Sequence, residues 1–450
     1  MSHAYFAIAF AYAMFSLGIA ALEIRRIRAT GPDAITVFVV IFMLQCCLPG
    51  VGIYASLPLA DSTDPTGNYV FDYIFSQVHV TAALLVLALT IWFAAFVYIG
   101  AFVGRSLLRR LYPQSTAAAA FRIEGVGYRL VIIILGGLTL ALVSFYLMGD
   151  DMVERYANLI RLRAYSDEVE RTGLNAYATQ LTQTWAWLSI PAIFVLYTGR
   201  KRGLVLYIFI IISALFALLG TSRRAIFIPI VLSYLSVLLY DGKWRIRLIV
   251  GLAIPILAWV VFGKEIFTTI TFGGEIEEVA GRYESTASAV LRGSSEEGIT
   301  IVESLGTITF LDDRLRLGVD HLLSIAQRFP HRQLGVEYPK RMVRISTDTF
   351  AGPDAQDVPP GLLGQMWLDF RVLGPVIWGL LIGMQLSAAQ FLFERCERSL
   401  QSSALVALLV FLIALPTNTG SYDFTFSVDV IATLVGLAVS FRVRRVGVAS

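Results

Sequence analysis

Charge is what this 450-residue chain has least of. Asp, Glu, Lys and Arg make up only 15% of it, against 56% apolar residues and a mean hydropathy of +0.70. A chain so poor in charge is neither intrinsically disordered nor a soluble nucleic-acid-binding protein. Cysteine is scarce as well. Of the three, Cys46 and Cys47 are adjacent in an apolar run and Cys396 sits beside Arg395 and Arg398, which gives neither a disulfide framework nor a CxxC metal site. The four histidines offer no pair at ligand spacing: His3 is terminal, His79 opens an apolar run, and His321 and His331 lie in one long polar stretch. HExxH, GxxxxGK[ST], GxSxG and DxD are missing, and Glu275 with Glu277 makes only an ExE. No metal and no cofactor is expected.

What the chain does have is apolar segments long enough to cross a hydrocarbon core about 30 Å thick, which needs about 20 residues of helix. The segments predict an all-α polytopic membrane protein with about eleven spans, near 4–22, 34–59, 78–103, 130–148, 183–199, 203–220, 225–240, 248–262, 368–393, 403–418 and 424–441. Their connections alternate between two chemical kinds. One kind is short and basic: Arg25, Arg26 and Arg28; Arg105, Arg109, Arg110, Arg122 and Arg129; Arg200, Lys201 and Arg202; Lys243, Arg245 and Arg247; Arg395 and Arg398; Arg442, Arg444 and Arg445. The positive-inside rule puts these in the cytoplasm, with the amino terminus outside and the carboxyl terminus inside. The first span has its arginines after it rather than before it, the reverse of a cleavable signal peptide.

The outer connections are longer. Residues 60–77 carry three aspartates and no cation, 149–182 carry Arg155, Arg161, Arg163 and Arg171, and about a hundred residues (263–360) separate spans eight and nine. The chain therefore divides into spans one to eight (1–262), a large outer loop (263–360) and spans nine to eleven (361–450). Within the large loop, GITIVESLGTITF and RLRLGVDHLLSIAQRF have helical apolar spacing, and Pro330 stops the second. These helices are expected to lie on the outer membrane face or to cap the bundle. No internal repeat is visible, which argues against a two-halved transporter.

Four outer-side segments gather polar groups. GDDMVERYANLIRLRAYSDEVE after span four reads as an interfacial amphipathic helix carrying Arg161 and Arg163; snorkelling to headgroups is the plainer explanation of both. GTSRRAIF at 220–227 opens span seven with Thr221 and Ser222 as cap residues and Arg223 and Arg224 at a helix amino terminus, a compact anion site or simply a marked membrane edge. In 337–375, Lys340, Arg341 and Arg344 precede Asp348, Asp354 and Asp357, after which Asp369 and Arg371 interrupt an apolar helix, as either a water-facing cavity or a structural ion pair. PTNTGSYDFTFSVDV at 416–430 holds Asp423 and Asp429, for which capping or packing roles are equally open. Gly379 and Gly383 form a GxxxG best taken as helix packing.

This layout resembles the Wzy-type polymerases, the oligosaccharide repeat-unit polymerases of O-antigen and related bacterial surface polysaccharides. The resemblance rests on NLIRLRAYSDEV after span four, GTSRRAIFIPI opening span seven, YPKRMV late in the large loop and PPGLLGQMWLDFRVLGPVIWGLLIG leading into span nine, and it covers most of the chain. It implies an inner-membrane glycosyltransferase that moves a growing glycan from undecaprenyl pyrophosphate onto a fresh lipid-linked repeat unit at the periplasmic face. Its partners would be that lipid-linked oligosaccharide, the membrane lipids and a separate chain-length regulator. Such a reaction needs cations for charge developing on the pyrophosphate and a base for the attacking hydroxyl. The resemblance implies Arg161, Arg163, Arg223 and Arg341, with the adjacent Arg224 and Lys340, as the substrate-binding cations, and Asp423, Asp357 or Asp369, in that order, as the base. The sequence departs from some relatives in having no histidine near the start of span nine and no arginine in the turn after span ten. The alternatives are a ligase joining finished polymer to lipid A core and a lipid-linked oligosaccharide flippase.

Overall fold

The structure is a computed structural model that describes residues 2–56, 79–112, 121–125, 223–242, 299–311, 313–326, 339–350, 360–419 and 441–445, with scattered positions at 136–155 and 434–439. The described chain is mostly helical. In order come α1 (Ser2–Thr30), α2 (Ala34–Phe42), a π-helical turn (Met43–Cys47), α3 (Leu48–Ser56), α4 (Val80–Leu111), β1 (Phe121–Gly125), α5 (Arg223–Asp241), α6 (Ile299–Phe310), α7 (Val319–Ala326), α8 (Met342–Phe350), α9 (Leu362–Phe370), a 3-10 turn (Arg371–Leu373), α10 (Gly374–Arg395), α11 (Leu400–Ala414), α12 (Pro416–Thr419) and β2 (Phe441–Arg445). Four helical stretches, His3–Thr30, Ala34–Ala55, Val80–Leu111 and Leu362–Arg395, are long and apolar enough to cross a membrane. They match the first, second, third and ninth expected spans, and α5 and α11 coincide with the seventh and tenth. The expected spans at 183–199, 203–220 and 248–262 lie outside the described residues, as do most of 130–148 and 424–441.

The chain clusters into two units, one of Met1–Pro113, Thr286–Phe391 and Val410–Phe426, the other of Gln114–Ser285, Leu392–Leu409 and Ser427–Ser450. In the first unit α1 packs along α3. Tyr54 stacks on Tyr12 and Tyr5 at ring-centroid distances of 5.6 and 6.3 Å. Asp33 starts α2 with a capping box: its Oδ1 accepts from the Ile35 and Thr36 N–H groups, while Thr36 Oγ1 accepts from the Asp33 N–H. The same carboxylate pairs with Arg26 (2.5 Å), which also binds Glu23, and with Arg105 (3.2 Å). Charges this enclosed are stable only in such company, and here they tie α1, α2 and α4 together at one end. Gln390 of α10 joins them by accepting the Ala34 N–H at 3.0 Å.

Between α4 and α10 the backbones nearly touch. A Cβ on Gly379 would lie 2.8 Å from that of Phe96, and one on Gly100 would lie 2.7 Å from the Cα of Leu380. The expected GxxxG at Gly379 and Gly383 is thus a packing motif, and Gly100 and Gly104 of α4 form its counterpart.

The helix α6 packs against α4 and α9, with Ile301 reaching Gly50 of α3, and nearly all of it is buried. Its threonines, serine and small residues let it sit close to α9 where a charged amphipathic helix would stay outside. Beside the helices, β1 and β2 form one short antiparallel ribbon in the second unit, which was not expected.

Candidate functional site

The site is assembled at the end of α9, in the sequence LLGQMWLDF. Gln365 and Asp369 are one helical turn apart and share a face. The helix then breaks: Arg371 takes φ 54° and its guanidinium lies over the Trp367 ring at 5.5 Å, after which Gly374 and Pro375 start α10. Asp369 is left in the last turn of α9 and fully buried. A carboxylate there meets the negative end of the helix dipole and has lost its water, so it persists only with several donors.

It has four. Oδ1 accepts from the Gly318 N–H (3.0 Å) and Gln365 Nε2 (2.9 Å), and Oδ2 from His321 Nε2 (3.1 Å) and Trp378 Nε1 (3.1 Å). The Gly318 donor is delivered by a turn in which Leu317 and Gly318 both have positive φ, 52° and 76°. A non-glycine residue in that region costs about 1 kcal/mol, and strain of this kind is held in place by what the turn binds. The His321 ring also lies against Trp378, tilted by 49° with ring centroids 4.3 Å apart. With Nε2 directed at the Asp369 carboxylate, Nδ1 is the ring nitrogen directed away from it.

One residue before His321, Asp320 forms a second buried node. Arg316 grips it with two hydrogen bonds, 2.7 and 2.9 Å, and the Met342 N–H donates to it at 2.7 Å. Hydrogen bonding to Asp320 raises the Arg316 pKa above its usual value, so the guanidinium stays charged. The Arg316 Nη2 reaches on to the Lys340 carbonyl oxygen at 3.3 Å, and its backbone N–H donates to Leu368 at 2.8 Å. The pair thereby holds residues 340–342 from both sides and fastens them to α9. Gln365 Nε2 lies between the nodes, 2.9 Å from Asp369 and 3.4 Å from Asp320.

Of the residues expected from sequence, Asp369, Lys340 and Arg341 meet in this region. Lys340 and Arg344 both pair with Asp348 at 3.0 Å, so part of the charge of this stretch is balanced locally. Arg223 and Arg224 are the first residues of α5, in the second unit, where a helix start was expected. Arg161, Arg163, Asp357 and Asp423 lie outside the described residues. The roles of Arg316, Asp320, Gln365 and Trp378 were not legible from sequence, and His321 was placed in the loop with no partner assigned. Forty-eight positions separate His321 from Asp369, and no spacing rule reaches that far.

No family model matches this chain, and neither a curated protein nor a solved structure is significantly similar to it.

Proposed function

We propose that this protein is a membrane-embedded glycosyltransferase that polymerises undecaprenyl-pyrophosphate-linked oligosaccharide repeat units into surface polysaccharide at the periplasmic face of the bacterial inner membrane. The observation that carries the reading is the joint anchoring of His321 and the Lys340–Arg341 stretch to one buried polar knot at the start of a span. Glycosyl transfer from a lipid pyrophosphate needs those two kinds of group within reach of each other: a base for the attacking sugar hydroxyl and cations for charge developing on the departing pyrophosphate.

Among the described residues, the geometry favours His321 over Asp369 as the base, while Asp423 and Asp357 lie outside them. Asp369 already accepts four hydrogen bonds and is fully buried, which suits it to orient His321 rather than to take a proton itself. His321 Nδ1 is the better acceptor for a hydroxyl proton. That atom is enclosed, so the reading requires the Leu317–Gly318 turn to open when substrate binds. Arg341 and Lys340, beside this knot, are the cations assigned to the pyrophosphate; for Arg161, Arg163, Arg223 and Arg224 a substrate-binding role rests on the sequence resemblance alone.

The test is a polysaccharide gel on cells with the gene deleted and complemented by wild type or His321→Ala, probing lipid A-linked and carrier-linked glycan. A polymerase gives a ladder collapsed to one repeat unit in both the deletion and the variant, at equal protein levels. Full-length glycan stranded on its carrier in the deletion would make the protein a ligase instead, and an unchanged ladder in His321→Ala would remove the histidine from the mechanism.

A further inference from the structure

The β1–β2 ribbon breaks a rule of strand pairing. Its register sets Arg122 directly opposite Arg444 and Glu124 opposite Arg442, so three guanidiniums share one face of a two-stranded sheet. Like charges directly opposite each other weaken a sheet, and a two-stranded ribbon is marginal to begin with. Folding alone would favour a carboxylate at one of the two positions. Two carboxylates do border the face, but loosely: Glu124 lies 3.4 Å from Arg122 and 3.5 Å from Arg444, and Glu397 lies 3.3 Å from Arg122, held there by its backbone N–H bond to Phe121. Arg122 and Arg444 remain 55% and 54% exposed. Each guanidinium has five donors and these pairs occupy few of them, so the face retains outward N–H groups and a net positive charge. A local arrangement that costs stability without return inside the fold is the mark of a ligand site.

The opposite face pairs Ile123 with Val443 and Gly125 with Phe441, with Arg445 opposite Phe121 at its end. Ile123 is buried, and Val443, its direct cross-strand neighbour, is 62% exposed. Leu434, Val435 and Val439, in the apolar stretch that leads into β2, are exposed as well. The ribbon therefore follows a stretch with exposed apolar side chains and carries a mainly cationic face, the character expected of an element at the level of lipid headgroups.

We propose that the Arg122–Arg442–Arg444 face binds the phosphate of anionic phospholipids on the membrane face that carries the short basic connections. A phosphodiester offers acceptor oxygens that guanidiniums engage in parallel pairs, and an arginine near a headgroup layer strengthens anionic-lipid binding about fivefold. The site is independent of the proposed transferase activity.

The experiment is native mass spectrometry of the full-length purified protein titrated with phosphatidylglycerol and, separately, with phosphatidylcholine. Wild type retains phosphatidylglycerol preferentially, Arg442→Gln with Arg444→Gln weakens that binding about 25-fold, and the corresponding double lysine variant keeps most of it. Equal retention of the two lipids by wild type overturns the proposal, as does unchanged phosphatidylglycerol binding in the glutamine variant. Displacement of the lipid by millimolar inorganic phosphate overturns it too, since the site would then take a free anion. Should the double glutamine variant not fold, Arg122→Gln alone is read against the same wild-type titration, with about a fivefold loss expected and an unchanged affinity overturning the proposal.

Discussion

Asp369 shows how much a single buried carboxylate can organise. Its four donors come from a strained turn, from α7, from its own helix and from α10, so one side chain fastens the break between α9 and α10 to the loop beneath it. Asparagine at 369 keeps the shape but replaces an acceptor oxygen by a donor, which then faces another donor. Charged hydrogen bonds are worth about 1.5–3 kcal/mol each, so Asp369→Asn is expected to cost about 3 kcal/mol and to lower the melting temperature of the detergent-solubilised protein by several degrees. A melting curve matching wild type would mean that the knot does not hold this corner together. That Asp369 carries weight was legible in the sequence, because a charge inside an apolar helix has to be answered by something. What answers it was not, since Gly318, His321 and Trp378 reach it only through the fold.

At the scale of elements, the contact between α4 and α10 depends on the absence of side chains. A Cβ on Gly383 would lie 2.5 Å from the Ala101 nitrogen and still closer to the Val97 oxygen, and α10 contributes Ser387 to the next turn, whose hydroxyl donates to the Ala101 carbonyl. Gly383→Leu must push the helices apart by more than the packing tolerates; the expected result is loss of the monodisperse peak in fluorescence-detected size exclusion, with Gly18→Leu, at a position open to its surroundings, as the tolerated control. Half of this motif could be read directly, as GxxxG at 379–383. Its partner at 100–104 has the same spacing, but spacing alone does not say which helix faces which. What α6 packs on was not legible for a related reason: helical spacing does not name the neighbour, whereas in the fold Thr300, Ser304 and Thr307 fit against Gly361 and Gly364 at the start of α9.

For the whole molecule, the alternation of basic and polar connections makes a topological prediction. Cysteine placed at Gly242 should react with a membrane-impermeant maleimide only after the inner membrane is opened, and cysteine at Leu315 should react in spheroplasts. Matching accessibility at the two positions would overturn the outside-amino, inside-carboxyl arrangement. The sequence by itself determined that this is a helical membrane protein and roughly where four of its long apolar helices lie, because apolar length and charge placement are properties of contiguous residues and the bilayer imposes them one segment at a time. Only the tertiary structure decided that His321 meets Asp369, that Arg316 and Asp320 hold the 340–342 stretch, and that two arginine-bearing segments more than 300 residues apart pair as strands. Those are contacts between distant residues, selected by the need of each buried donor and charge for a partner, and such partners become neighbours only once the helices have packed.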